Sequence, residues 1–316
     1  MRSRPAPSAL AVLAALTALA AAACAPQEAD GTASGPSSGA SSAGSPAAGA
    51  SCAPAALATK ARGKLTVGTD TPAYAPWFQD DDPSNGKGFE SAVAYAVAQR
   101  LGFAEKDVVW QKVAFNNAFA PGAKTFDFDI NQVSINEDRR KAVDLSSGYY
   151  DVRQAVIALK DSPAARATDL AGLKGVRLGA QVGTTSLDVI NEQIKPDRPA
   201  AVFQKNDLAK SALKNGQVDA IVVDLPTAFY ITGAEVPEAK VVGQLETTGG
   251  AGGAGGTGAG AGGTGGAGEQ FGLVLDKGSP LTSCVSRAVD ALRRDGTLAA
   301  LEKRWLSDAA GAPVLK

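Results

Sequence analysis

An α/β fold in which parallel and mixed sheets are flanked by helices is predicted by three features of the sequence. From residue 64 onward, short β-branched runs alternate with helical stretches, the pattern of strands joined by covering helices. The 316 residues are 45% hydrophobic and 20% charged, which is long enough and apolar enough for two lobes with a core in each. The helical stretches over 89–101 and 206–215 are each followed by a glycine stop, Gly102 and Gly216.

Taken in order, the strand candidates are residues 64–69, 127–133, 155–159, 176–181, 220–223 and 270–275. Between the first two, Phe89, Val93, Val97 and Leu101 recur every four residues and Gly102 follows, which predicts a helix over 89–101. A second helix is expected over 206–215, with Asn206 as its cap and Gly216 as its stop. A third runs over 284–306, with Val285, Val289, Leu292, Leu298, Leu301 and Trp305 on or near one face. Residues 249–268 are only Gly, Ala and Thr and hold more than a third of the chain's 36 glycines, so they cannot build a core. They read as a tolerated surface insertion, with a flexible lid as the alternative.

Charge and composition exclude several functions. Lys plus Arg (31) nearly cancels Asp plus Glu (32), so there is no basic field of the kind that draws a protein onto nucleic acid. The chain has no histidine, which removes the commonest general base and the commonest zinc ligand together. No metal and no cofactor are expected.

The first residues read as an export leader: Arg2 and Arg4, an apolar stretch over 9–20, then small residues up to Cys24. Ala21, Ala22 and Ala23 before Cys24 resemble a bacterial lipobox, whose cysteine is lipidated and becomes the mature N-terminus, although Ala21 stands where Leu is usual. Cleavage without lipidation, and release, is the other reading of the same residues. With Cys24 assigned to the anchor, Cys52 and Cys284 remain as an even pair in an oxidising compartment and are expected to bridge. Two free thiols, or Cys284 as a small core residue, are the alternative. Residues 25–59, rich in Ala, Ser, Gly and Pro, are a disordered tether.

Four ordered segments, LTVGTDTPAYAPWF (65–78), SINEDRRKAVDLSSGYY (134–150), LGAQVGTTS (178–186) and GQVDAIVVD (216–224), resemble the bacterial extracellular solute-binding proteins of family 3. The segment DALRRDGTLAALEKRW (290–305) is similar to the family's closing helices. The resemblance covers roughly residues 60–308. It implies a two-lobed periplasmic-binding-protein-like fold of type II, hinged at two crossovers and closing over a small ligand. The layout is then a leader (1–24), a tether (25–59), a first lobe from 60–153 and 269–308, a second lobe (154–245), a Gly-rich loop (246–268) and a tail (309–316). The implied function is capture of an amino acid, polar or basic by preference, for the permease of an ABC importer. The protein is expected to be a lipid-anchored, extracytoplasmic monomer without catalytic activity. A cyclohexadienyl-dehydratase-like enzyme on the same scaffold, or a sensing module for a separate receptor, is the alternative.

A zwitterionic ligand needs a cation or amides for its carboxylate, an anion for its ammonium and an apolar wall. Arg139, five residues after Ser134, matches the family's Ser-Ile-Thr-x-x-Arg pattern, in which the arginine clamps the carboxylate; Asn136 replaces the threonine. Ser134 is expected to contribute its backbone, and Asn131 and Gln132 to add polar contacts. Thr184 and Thr185, after Gly183 and opening a helix, would point backbone N–H groups at an anion, or form an ordinary capped helix start. Asp224 ends an apolar strand where the family places the carboxylate that receives the ammonium. Asp70 ends the first strand and faces the cleft in relatives; capping is the alternative for both. Tyr74, Trp77 and Phe78 are the expected wall, with plain core packing as the other reading.

Overall fold

The computed structural model describes residues 52–246, 268–306 and 312–316. The leader with Cys24, the tether as far as residue 51 and all but the ends of the Gly-rich loop lie outside the described residues. No helix among the described residues is long and apolar enough to cross a membrane.

Two sheets organise the chain. The first takes β1 (Leu65–Thr69), β2 (Val108–Lys112), β3 (Phe128–Asp129), β4 (Asp144–Asp151) and β10 (Gln270–Leu275) in the order β2-β1-β3-β10-β4. Its β1 pairs in parallel with β2 and β3, while β10 runs antiparallel to β3 and β4. The second takes β5 (Gln154–Leu159), β6 (Leu178–Gln181), β7 (Ala201–Phe203), β8 (Ala220–Asp224), β9 (Ala239–Leu245) and β11 (Val314–Leu315) in the order β11-β9-β5-β8-β6-β7. The chain thus passes from the first sheet to the second between β4 and β5 and returns between β9 and β10. Both sheets are mixed, and the fold is the two-lobed α/β arrangement expected.

The second sheet shows how strand periodicity builds a core. On β5 and β8, Val156, Ala158, Ala220 and Val222 face one cluster while Ala155, Ile157, Ile221 and Val223 face another. Successive side chains point to opposite faces, so a strand apolar at every position is one covered on both sides. Ile157 is fully buried, and a side chain of that kind contributes roughly 1.5–3 kcal/mol.

In the first lobe α1 (Phe89–Arg100) packs with the predicted period: Phe89, Val93, Val97 and Leu101 are all buried. The expected single helix over 284–306 is two, α7 (Thr282–Arg294) and α8 (Thr297–Trp305). The break falls at Gly296, whose φ of +81° lies in the left-handed region open to glycine. Its apolar period runs through the break because both helices pack on one core.

Three further differences have physical causes. β4, read from sequence as no element, contains Asp, Ser and Gly, poor strand formers; pairing with β10 imposes the strand. Asn206 is the first residue of α5 (Asn206–Lys214), and Lys205 occupies the cap position without a side-chain cap. The tail over 309–316 contains a strand: β11 joins the second sheet parallel to β9, a third passage between the sheets beyond the two crossovers expected. Cys52 and Cys284 are joined by a disulfide, so the start of the described chain is fixed to α7.

Candidate functional site

Ligands of open α/β sheets bind outside the carboxyl ends of the strands, and there the two sheets face each other. Asp70 follows β1, Phe115 follows β2, Asn131 and Gln132 follow β3, Thr184 and Thr185 follow β6, Lys205 follows β7, and Asp224 ends β8. All of them line one cleft, with Tyr74, Ser134, Arg139, Gln181, Ser186 and Asn206. Its empty volume, open mouth included, is about 510 Å³.

Arg139 stands on α3 (Glu137–Ala142), a short helix capped by Asn136, whose Oδ1 accepts the Arg139 backbone N–H at 2.8 Å. Asn in place of Thr therefore keeps a good cap. Arg139 is 6% exposed. Its guanidinium donates to the carbonyl of Ser134 at 2.6 Å in its own lobe and to the carbonyl of Gly183 at 2.9 Å in the other. Its carbon lies 4.4 Å from the centre of the Phe119 ring and 5.8 Å from that of Phe115. Burial lowers its pKa to about 10, against the opposing pull of Glu269, Asp188 and Asp224. Gly183 is needed for this approach: its φ is +75°, and a Cβ there would stand 2.3 Å from Asn116 Oδ1, across the cleft on α2 (Phe115–Ala118).

Asp224 begins α6 (Leu225–Tyr230) by position, but its side chain makes no cap bond. Its Oδ1 instead accepts from Gln154 Nε2 at 2.8 Å. Burial, then the neighbouring Glu269 charge, push its pKa up to about 8. Asp70 is more committed to structure: its carboxylate accepts backbone N–H groups of Thr71 at 2.6 Å and Phe115 at 3.3 Å, with Lys205 Nζ at 3.8 Å.

Thr184 caps α4 (Thr185–Val189), accepting from Leu187 N at 3.3 Å, so the capped-start reading holds for its side chain. Thr185 lines the cleft, and its hydroxyl donates to Glu269 Oε1 at 2.5 Å. Tyr74 lines the cleft beside Asp207, and burial is the main cause of its raised pKa. Lys210 Nζ sits 5.5 Å from its ring centre.

Trp77 and Phe78 require a correction: neither lines the cleft. Phe78 N donates to Tyr74 O at 2.9 Å, closing a turn that drives both rings inward. Trp77 is 0% exposed, edge-on to Phe89, Tyr150 and Phe271, and Phe78 packs against Trp110. The aromatic wall comes instead from Phe115 with Tyr74.

Residues that sequence reasoning did not single out complete the site. Phe115, Gln181, Ser186, Lys205 and Asn206 line the cleft. Their common signal is position at a strand's carboxyl end, invisible where β2 and β7 were not recognised. Gln154 Oε1 accepts from Ser186 Oγ at 2.6 Å. Glu269, at the edge of the glycine-rich segment, accepts from the hydroxyls of Ser134 and Thr185, each at 2.5 Å. Gln132 takes a φ of +49°, held by Glu90, whose Oε1 accepts its backbone N–H at 2.7 Å. Glu90 is fully buried, and burial pushes its pKa up to about 7.

Two sheets hinged by crossovers, with a polar cleft between them fed by side chains from both, define a protein that takes a small solute between its lobes. Residues 65–308 match the family model for bacterial extracellular solute-binding proteins, family 3, and the chain belongs to that family. It is 28% identical over 264 residues to the L-cystine-binding protein TcyJ of Escherichia coli, covering 81% of this chain and 86% of that one. It is 28% identical over 246 residues to a probable histidine-binding protein of Campylobacter jejuni, covering 76% of this chain and 84% of that one. Among solved structures, an ancestral arginine-binding protein bound to arginine is similar at 27% identity and a TM-score of 0.59, over 77% of this chain and 98% of that one. So is an ancestral amino acid-binding protein, a precursor of cyclohexadienyl dehydratase, at 27% identity and a TM-score of 0.60, over 78% and 96%.

Proposed function

We propose that the chain is the extracytoplasmic capture component of an ABC importer, binding an amino acid with a polar or basic side chain between its lobes and presenting the closed form to a permease. The observation that carries this reading is that Arg139 and Asp224, from opposite sheets, face one cleft. A ligand carboxylate near the guanidinium and a ligand ammonium near Asp224 would join the lobes through one molecule, an interaction available only when they are closed. Asp224 in the cleft, its carboxyl bonded to no cation among the described residues, favours cationic or neutral over acidic groups beside it. The relatives, which include an L-cystine-binding protein, a probable histidine-binding protein and an ancestral arginine-binding protein, support an amino acid as the solute.

A thermal-shift screen of the mature chain against all amino acids tests the reading. A ligand at one hundred times its dissociation constant stabilises by about 2.7 kcal/mol, and no shift with any amino acid would sink the proposal. The chain acts on this reading without catalysis and without a cofactor; the relatives named are binding proteins, and Glu90 is enclosed by its own hydrogen bonds. Turnover of a prephenate-like substrate would overturn that part. Monomeric behaviour and a lipid on Cys24 complete the proposal. Cys24→Ala should abolish lipid labelling and release the protein from the membrane fraction.

A further inference from the structure

Glu269 is the first charged residue after the glycine-rich segment and stands where the chain re-enters the first lobe: its carbonyl accepts Val152 N at 2.9 Å, beside the other crossover. Its carboxylate lies between the lobes. It takes the Ser134 hydroxyl from one side and the Thr185 hydroxyl from the other, both at 2.5 Å. Gln154 Nε2 lies 3.3 Å from Glu269 Oε2 and 2.8 Å from Asp224 Oδ1, so a single amide bridges two carboxylates. Both Ser134 and Thr185 spend their protons on Glu269, which leaves oxygen lone pairs to meet a donor in the cleft.

We infer that Glu269 is a specificity-determining residue of the ligand site: with Asp224, to which Gln154 couples it, Glu269 forms a two-carboxylate socket that takes one ammonium group and rejects a neutral or anionic group in the same place. The inference rests on the amino-acid reading above.

Electrostatics supports the geometry. The charged groups acting on this pair are Arg139 from α3, Asp188 from α4 and Glu90 from α1. Three of these groups with the pair itself make four carboxylates and one guanidinium, and Arg139 already donates to two carbonyls. Asp224, with its pKa near 8, meets this excess by holding a proton at pH 7. An arriving ammonium replaces that proton: the Asp224 O–H bond breaks, the carboxylate faces the cation, and the proton leaves to buffer. Binding should therefore release protons at pH 7.

The test is calorimetric titration at pH 7 in phosphate and in Tris, whose ionisation enthalpies differ, with L-arginine, L-histidine, L-cystine and L-glutamine. Parent protein and the isosteric Glu269→Gln variant are compared, with Glu269→Asp as the conservative control and melting curves without ligand for each. Glu269→Gln should lower affinity about tenfold to a hundredfold, or about 1.4 to 2.7 kcal/mol. It should also reduce proton release in part, since Asp224 keeps the burial that is the larger cause of its raised pKa but loses the neighbouring Glu269 charge, and Glu269→Asp should restore most of both. Parent-like affinity and proton release in Glu269→Gln would overturn the inference. So would a fall in melting temperature with proton release unchanged, which would mark Glu269 as a structural latch. If the parent binds none of the four and no other amino acid in the thermal-shift screen, the amino-acid reading itself fails and this inference falls with it; binding by the parent separates the two failures.

Discussion

Trp77 Nε1 donates to Thr227 Oγ1 at 2.9 Å, which ties the aromatic core of the first lobe to helix α6 of the second. The indole ring is wholly enclosed, so this bond is made by a rigid donor and depends on the lobes being together. Thr227→Val should leave the indole N–H unpaired in the closed form, at a cost of about 1 to 2 kcal/mol. Ligand affinity measured by calorimetry should fall about fivefold to thirtyfold, while Trp77→Phe, which removes donor volume from a packed core, should also lower the melting temperature. Unchanged affinity in Thr227→Val would show that closure does not use this bond.

Arg139 is bonded to both lobes as well as proposed to meet the ligand. Arg139→Ala should weaken amino-acid binding by about 2 to 5 kcal/mol, the range for a buried charge that loses its partner. It should also lower the melting temperature without ligand, because the Ser134 and Gly183 carbonyls lose their donor and Phe119 its cation. Arg139→Lys, a point charge without the planar fork, should recover little of either. A variant that loses binding with an unaltered melting curve would confine Arg139 to ligand recognition.

The raised carboxyl groups set a pH dependence. In the folded protein Asp224 has a pKa of about 8 against an ordinary 3.8, and Glu90 about 7 against 4.5. Between those limits the folded state holds more protons than the unfolded chain, so stability without ligand falls as pH rises from about 4 to about 8. Affinity for an ammonium ligand moves the opposite way, rising toward pH 8 by up to about tenfold per unit as less work is needed to ionise Asp224. Calorimetry at pH 6, 7 and 8 checks the second trend, and melting curves over the wider range check the first. Asp224→Asn should flatten the affinity profile.

The Cys52–Cys284 disulfide closes a separation of 232 residues, and neither cysteine lines the cleft. Replacing both with Ser should cost a few kcal/mol of stability in the chain-entropy picture and leave affinity within about twofold. Thiol titration of the denatured, unreduced protein should find neither cysteine free.

How far the sequence was readable follows from which forces act locally. The period of Phe89, Val93, Val97 and Leu101 and the unbroken apolar runs at β5 and β8 declare their burial directly, because each face they present is covered. β4 declares nothing, since its strand character comes from β10, over a hundred residues away. In the site, Arg139, Ser134 and Asp224 stand in marked patterns and do line the cleft. Trp77 misleads because an aromatic near a cleft and an aromatic in a core have the same letter; only the turn after Tyr74 decides. Glu269 escapes notice for another reason. Its partners Ser134, Gln154 and Thr185 lie 135, 115 and 84 residues away, and nothing local links them.

The last strand has a consequence for how the molecule can be handled and watched. β11 lies against the edge of β9, where Gly243 leaves room for Leu315 and Pro313 that a Cβ would fill, and Leu170 N donates to the carbonyl of Lys316 at 3.2 Å. The last described residues are thus seated on the second lobe, while Cys52, the first described residue, is bonded to Cys284 of α7 on the first. Cys52 and Lys316 ride on different halves of the hinge, and the distance between a label near each should report opening and closing without any change to the residues that line the cleft.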